Sequence, residues 1–329
     1  MTNRKQELAD LSGTRRSIGS SGGIVRLVLA IVVPPVLLFF VVRSIWTKWD
    51  VISAHPWHVD LGWLLISAVA YLADIVLLIQ LWRALLVIVS GKPLRFRTAY
   101  RISTLSNLGK YVPGKVWTIM GMIYLLQQEG LAASTALAST ILHQAFTVIA
   151  GAVFVVIVLG TKIWGDLPAA SVVIGLGLSV VVLYPSVFTR LLNFGLKLAR
   201  REPVQIRLSF PLALGLFVGY VLAWVIYGIS FWCMMRGLQF GGSPFWEIVA
   251  AFGAAYLIGF LALFAPGGLG VREGILTLLL APYLPTGMAA PVALVSRLWM
   301  TLVELLGMAP LIPWFRRSPS KTAPANPAR

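Results

Sequence analysis

The residues of this sequence that most clearly indicate a chemical role are charged side chains inside long apolar stretches. A charge at the centre of a bilayer costs about 2.5–3.5 kcal/mol on insertion scales, so such groups turn inward to pair or to meet water. Lysine and arginine in that setting suit a phosphate, and carboxylates suit arginine orientation, proton binding or a cationic head group. The interior charges are Asp74, Lys110, Lys115, Arg272, Glu273, Arg297 and Glu304.

Two Pro-Gly breaks lie next to most of the interior cations. Pro113-Gly114 interrupts one apolar stretch and Pro266-Gly267 interrupts another. Proline ends a helix, and a half-helix that restarts inside a membrane directs unpaired N–H groups and a positive dipole end inward, which suits phosphate. The predicted substrate-binding residues are therefore Lys110, Pro113, Gly114, Lys115, Pro266, Gly267, Gly268, Arg272 and Arg297.

Four further residues are predicted to orient the arginines of the substrate site or to couple transport to a proton. They are Asp74, His143, Glu273 and Glu304. The alternative interpretation makes the charges structural ion pairs that fix the helix register, and the histidine a satisfied hydrogen-bonding group. Both interpretations stay open, because residue type and spacing alone do not separate them.

Enzymatic and nucleotide-binding motifs do not fit this chain. Residues 109–115 match the Walker pattern G-x-x-x-x-G-K, but Val116 stands where a Ser or Thr would hold magnesium, and no soluble strand precedes the loop. The single cysteine, Cys233, and three histidines without H-x-x-x-H spacing offer no metal site. No nucleophile with a base stands out, so the sequence predicts neither an enzyme nor a cofactor.

Composition defines the setting of these residues. Of 329 residues, 58% are hydrophobic and 12% are charged, with a mean hydropathy of +0.87. A soluble chain is about 45–50% apolar and about 25% charged, so an all-α integral membrane protein is predicted. The net charge of +16 comes from basic residues in short loops beside apolar spans, which is typical of membrane topology and argues against nucleic-acid binding.

Six apolar runs are long enough to span a bilayer, and two more are broken by the Pro-Gly pairs. A bilayer core of about 30 Å needs about 20 apolar residues per helix. The broken stretches, about 100–124 and 248–284, are predicted to be re-entrant hairpins. The predicted full spans are 24–45, 61–89, 131–159, 168–188, 208–235 and 289–315.

The basic residues predict the orientation. With six spans, nineteen of the 27 Lys and Arg residues fall on the side of the N-terminus and four on the other side. The positive-inside rule then places both termini in the cytoplasm of a bacterial inner membrane. Residues 1–23 and 317–329 are predicted to be disordered cytosolic tails.

The order span, span, broken hairpin, span occurs twice, in residues 24–160 and 161–316. Three spans separate the two hairpins, and an odd number inverts the second half relative to the first. The two hairpins are therefore expected to enter from opposite faces and to meet near the mid-plane of the membrane.

The stretches "GKYVPGKVW" and "APGGLGVREG" resemble the membrane region of bacterial lysylphosphatidylglycerol synthase/flippase proteins. Members that make aminoacylated lipid carry a soluble transferase domain after this region, and this sequence ends shortly after its sixth span. The resemblance therefore implies lipid flipping without lipid synthesis.

The predicted function is a flippase that moves an anionic phospholipid or a lipid-linked head group. The alternatives are an intramembrane lipid-modifying enzyme and a non-transporting scaffold subunit of a lipid or glycan pathway. The predicted partner is a membrane lipid substrate, and a second copy of the chain or a lipid-synthesis enzyme remains open as a protein partner.

Overall fold

The computed structural model describes residues 49–54, 57–111, 116–163, 208–240, 244–262 and 266–311, with isolated positions between 43 and 47, between 173 and 197, and at 242. The described residues lie in helices, turns and short irregular connections, and no strand occurs among them. The helices are α1 (Trp49–Ala54), α2 (Leu61–Ser90), α3 (Phe96–Asn107), α4 (Val116–Gln128), α5 (Ala133–Ile163), α6 (Phe210–Gly237), α7 (Phe245–Leu261), α8 (Val271–Leu280) and α9 (Ala289–Gly307). Short 3-10 turns cover Leu108–Tyr111, Pro266–Gly268 and Ala309–Leu311.

The helix α2 shows how local chemistry sets the bounds of a spanning helix. The Asp60 carboxylate accepts hydrogen bonds from the N–H groups of Gly62 (2.8 Å) and Trp63 (3.3 Å), which caps the first turn. Gly91, with a φ of 67°, ends the helix by donating its N–H to the Val87 carbonyl. The 30 residues between these caps extend about 45 Å at about 1.5 Å each, enough to cross a bilayer with tilt.

Four helices are long and apolar enough to cross a membrane: Leu61–Ser90, Ala133–Gly160, Phe210–Gly237 and Ala289–Gly307. They confirm four of the six predicted spans. The predicted spans 24–45 and 168–188 lie, apart from isolated positions, outside the described residues. The last helix ends at Gly307 instead of continuing to 315 as predicted, because Pro310 has no N–H to donate to the Leu306 carbonyl oxygen, and the 3-10 turn Ala309–Leu311 follows.

Both predicted breaks are present as interruptions between helices. The 3-10 turn Leu108–Tyr111 separates α3 from α4, and the turn Pro266–Gly268 separates α7 from α8. In the second break Gly267 and Gly268 have φ values of 55° and 70°, which glycine adopts without steric cost. Pro113, Gly114 and Lys115 lie outside the described residues.

The same order of elements occurs twice among the described residues. A long helix, a broken helix pair and a second long helix appear as α2 to α5 and again as α6 to α9. The equivalent helices α2 and α6 pack along each other, and the two 3-10 turns at the breaks are in contact. The inversion of the second half stays a prediction, as do the re-entry of the broken pairs and the domain bounds.

Close packing in the interior contrasts with an apolar exterior. A Cβ at Gly228 of α6 would lie 2.3 Å from Cγ1 of Val249 on α7, so glycine allows these two helices to approach closely. On the outside, Leu65 and Val69 of α2 are exposed, as is Val218 of α6. Exposed aliphatic side chains on the long helices fit a lipid environment, which leaves the interior for the charged residues.

Candidate functional site

Arg297 of α9 forms hydrogen bonds to the second break, the turn Pro266–Gly268, and to the helix that follows it. Its Nη1 donates to the carbonyl oxygen of Gly267 at 3.1 Å and to Oε1 of Glu273 at 2.9 Å. The other carboxylate oxygen of Glu273 accepts the N–H of Gly270 at 2.7 Å, at the start of α8. Glu273 therefore both orients the arginine and satisfies a backbone donor that the helix start leaves unpaired.

Glu304, two turns further along α9, binds side chains at the first break, the turn Leu108–Tyr111. Its carboxylate accepts from Nζ of Lys110 at 2.7 and 2.5 Å and from Nδ2 of Asn107 at 2.6 Å. The Tyr100 hydroxyl of α3 donates to the carbonyl oxygen of Gly307 at the end of α9. One helix thus holds both breaks, through two charges of opposite sign on the same face.

The two breaks also touch each other directly. A Cβ at Gly267 would lie 3.4 Å from the carbonyl oxygen of Lys110 and 3.1 Å from Nη2 of Arg297. The described end of the first break therefore lies against the second break. The predicted meeting of two re-entrant hairpins near the mid-plane of the membrane stays a prediction. The predicted substrate-binding residues Pro113, Gly114 and Lys115 continue from Lys110, outside the described residues.

Arg272, the second residue of α8, lies in an aromatic environment. Its Nη2 donates to the Tyr227 hydroxyl at 2.7 Å. Its guanidinium carbon lies 4.8 Å from the ring centre of Phe252, 5.4 Å from that of Tyr256 and 5.9 Å from that of Tyr227. Such cation–π contacts stabilise a charge away from water. Among the described residues, no carboxylate forms a salt bridge with Arg272.

Glycine packing sets the position of Arg272. Phe252, Tyr256 and Gly259 lie four and then three residues apart, so they share the face of α7 that meets Arg272. A Cβ at Gly259 would lie 2.9 Å from Cβ of Arg272. Only glycine at this position lets α8 come close enough for the guanidinium to reach the two rings.

Asp74 has a buried carboxylate oxygen without a hydrogen-bond partner in the part of the chain that the structure describes. It lies on α2, its residue is 4% exposed, and the oxygen without a partner is Oδ1. Tyr71, one turn earlier, packs on Tyr227 with ring centres 5.8 Å apart. Tyr71 is within electrostatic range of Asp74, Glu304 and Arg272. Tyr227 is within electrostatic range of Asp74 and Arg272 as well.

These contacts, with Asp74 one turn along α2 from Tyr71, bring together six of the seven interior charges as one interior charged cluster, consisting of Asp74, Lys110, Arg272, Glu273, Arg297 and Glu304. His143 takes a different position. Its Nδ1 lies 2.6 Å from the hydroxyl of Tyr220, which is seven residues and two turns along α6 from Tyr227. A role of His143 in proton transfer stays a prediction.

Six further residues complete the site and were missed by sequence reasoning: Tyr71, Asn107, Tyr227, Phe252, Tyr256 and Gly259. Tyr71 precedes Asp74 by three residues and so shares its helix face, which is a signal available from the sequence. The aromatic residues around Arg272 resemble ordinary core residues until the fold brings α8 against them.

Residues 23–307 match the family of the lysylphosphatidylglycerol synthase TM region, and the chain therefore belongs to that family. The chain matches no curated protein and no solved structure. Membership together with four apolar spanning helices makes the chain a multi-pass membrane protein with a function related to membrane lipid.

Proposed function

We propose that this member of the family moves an anionic lipid head group across the membrane and that Arg272 binds its phosphate. The observation that carries the proposal is the pairing of the cluster's described cations. Lys110 is paired with Glu304 and Arg297 with Glu273, whereas Arg272 is paired with none of the described carboxylates. Its charge is therefore available to an anionic ligand.

The local chemistry around Arg272 supports a phosphate as that ligand. A guanidinium presents a planar set of donors that matches phosphate oxygens, and Tyr227 accepts from only one nitrogen, Nη2. Arg272 lies in the first turn of α8, and helical side chains lean toward the N-terminus. A phosphate bound there would also meet the positive end of the helix dipole.

The two ion pairs on α9 fit a path for the head group between the breaks. Each pair joins α9 to one broken segment, so a phosphate that replaces a carboxylate would loosen that segment. The lipid tails would stay in the bilayer while the head group passes along the cluster. The proposal includes the arrangement predicted from the sequence, with two inverted halves, re-entrant breaks and both termini in the cytoplasm of a bacterial inner membrane.

A scaffold function is the second candidate, and the ion pairs themselves favour it. Arg297–Glu273 and Lys110–Glu304 would hold helices in register even in a protein that moves nothing. Substitution of Arg272 distinguishes the two functions. If the arginine is only structural, it can be replaced without loss of function as long as the protein folds, whereas an arginine that binds the phosphate cannot.

Purified protein in vesicles with labelled lipids tests the proposal. The lipid panel contains anionic phospholipids, polyprenyl phosphates and a zwitterionic phospholipid, and movement is read as loss of label accessible from outside. A charge-assisted hydrogen bond contributes about 1.5–3 kcal/mol, so Arg272→Ala is expected to slow movement of the anionic lipid about tenfold or more.

Arg236→Ala is the matched control, because Arg236 also stacks on two aromatic rings, those of Trp63 and Trp232, at 5.3 and 4.8 Å. It lies at the end of α6, outside the charged cluster. Equal rates for the two variants at equal amounts of folded protein would contradict the role of Arg272. A wild-type protein that moves none of the lipids would contradict the function itself.

A further inference from the structure

Asp74 is a carboxyl group with an unusual position for an ionised residue. It is the 14th of the 30 residues of α2, so it lies near the middle of a spanning helix. The residue is 4% exposed, and its Oδ1 is buried without a partner among the described residues. An ionised carboxylate in such a place costs several kcal/mol unless it is paired, whereas a protonated carboxyl is neutral.

The groups packed around α2 do not provide a described cation for this carboxyl. The helix packs against α3, α5, α6 and α9. Tyr71 on α2 and Tyr227 on α6 are within electrostatic range of Asp74. Other titratable groups on these helices and on α8 have partners of their own: Arg83 of α2 has Leu94, Tyr100 of α3 has Gly307, Arg101 of α3 has Glu129, His143 of α5 has Tyr220, Arg297 of α9 has Glu273, Glu304 of α9 has Lys110 and Asn107, and Arg272 of α8 has Tyr227.

Tyr227 connects Asp74 to the phosphate site. The Tyr227 ring packs on Tyr71 on one side, and its hydroxyl accepts from Arg272. Tyr71 lies three residues before Asp74 on the same face of α2, so the packed tyrosine pair joins the helix face of Asp74 to Arg272. An ionised Asp74 would offset the positive charge that attracts a phosphate, and a bound phosphate would favour the protonated Asp74. Proton and phosphate thus bind more strongly together than apart.

We propose that Asp74 is a proton-binding site coupled to the phosphate site at Arg272, so that a proton and an anionic head group bind together and move together. The inference rests on the proposed function. When the cluster opens to water, the O–H bond of the Asp74 carboxyl breaks, its electron pair stays on the carboxylate oxygen, and a water molecule receives the proton.

A proton fits this site better than a metal cation. No group of three His, Cys, Asp or Glu side chains that could hold a metal ion occurs in the described part of the chain. The backbone carbonyls around Asp74 belong to a regular helix and are bonded within it. A hard cation such as sodium would therefore lack the several oxygen ligands that it needs.

Infrared spectroscopy of the purified full chain measures the proton without requiring transport. The wild type is expected to show the carbonyl stretch of a protonated carboxylic acid at neutral pH, and Asp74→Asn is expected to lack that band. Asp60→Asn is the matched control on the same helix, because Asp60 is exposed and asparagine keeps the N-cap. Identical spectra for the wild type and Asp74→Asn would overturn the proposal.

Vesicles with a pH-sensitive dye inside measure the coupling. For the wild type, a pH gradient is expected to speed movement of a labelled anionic lipid severalfold, with proton entry that depends on that lipid. Asp74→Asn is expected to lose both the response to the gradient and the proton entry. Lipid movement by the wild type without proton flux, or driven by a sodium gradient instead, would overturn the coupling and leave the proposed function standing.

Absence of lipid movement would instead overturn the proposed function, and the coupling with it, even if the Asp74 band were present. The two failures are therefore distinguishable, since the spectra depend only on the carboxyl group and the vesicle measurements depend on transport.

Discussion

Replacement of Gly259 by alanine is expected to disable the phosphate site without changing any charge. The added Cβ would lie 2.9 Å from Cβ of Arg272, and 3.4 Å from its Cα. Carbon atoms prefer a separation of about 3.5–4.0 Å, so α7 and α8 must move apart by about 0.6–1.1 Å. A Cβ atom has no rotamer, and the neighbouring atoms belong to backbone or lie next to it, so the strain cannot be relieved by side-chain rotation.

The movement shifts the arginine relative to the residues that hold it. The guanidinium carbon is 4.8 Å from the ring of Phe252, which lies on the same helix as Gly259, while Arg272 lies on the other. A misplacement of about 1 Å costs about a hundredfold in rate where a group must be aligned with its substrate. Transport by Gly259→Ala is therefore expected to fall between about tenfold and a hundredfold.

The labelled-lipid assay in vesicles measures this effect, and thermal unfolding in detergent shows whether the protein remains folded. Gly274→Ala is the matched control, because Gly274 lies on α8 and a Cβ there meets nothing within 4 Å. Alanine also has the higher helix propensity, so Gly274→Ala should be at least as stable as the wild type. Wild-type transport by Gly259→Ala, or an equal loss in Gly274→Ala, would refute the reasoning.

The sequence predicts the four described spanning helices because their signal is local. A run such as 61–89 contains enough apolar residues to span a bilayer, and the cap residues Asp60 and Gly91 lie within one turn of its ends. The breaks are predictable for the same reason, since Pro-Gly pairs inside apolar runs interrupt a helix whatever surrounds them. Both signals depend on neighbouring residues only.

Pairing between the interior charges could not be read from the sequence. Residue types indicate that buried charges need partners, but Lys110 and Glu304 are 194 residues apart and meet only because α9 packs across both breaks. The sequence treats Lys110, Arg272 and Arg297 as equivalent phosphate ligands. In the fold, two of them are neutralised by carboxylates and Arg272 is surrounded by rings.

The aromatic and glycine positions were missed for a related reason. Phe252 and Gly259 of α7 lie in a helix whose residues are apolar on nearly every side, so no face is distinguished by polarity. Their significance depends on which helix packs on which face. That information comes from tertiary contacts, which a single sequence does not contain.

Three further substitutions test the contacts of the cluster. Tyr227→Phe removes the hydroxyl that accepts from Arg272 but keeps the rings and the arginine itself, so transport should fall severalfold, which is less than in Arg272→Ala. Lys110→Ala should destabilise the folded protein more than Glu304→Ala in thermal or denaturant unfolding, because the Glu304 side chain is 10% exposed and that of Lys110 31%. Removing the lysine leaves a buried carboxylate, whereas a remaining lysine can extend to water. The double variant should then be more stable than the sum of the single effects implies, by about 0.5–3 kcal/mol. Additive effects would show that the two side chains do not stabilise each other and that α9 does not hold the first break through this pair.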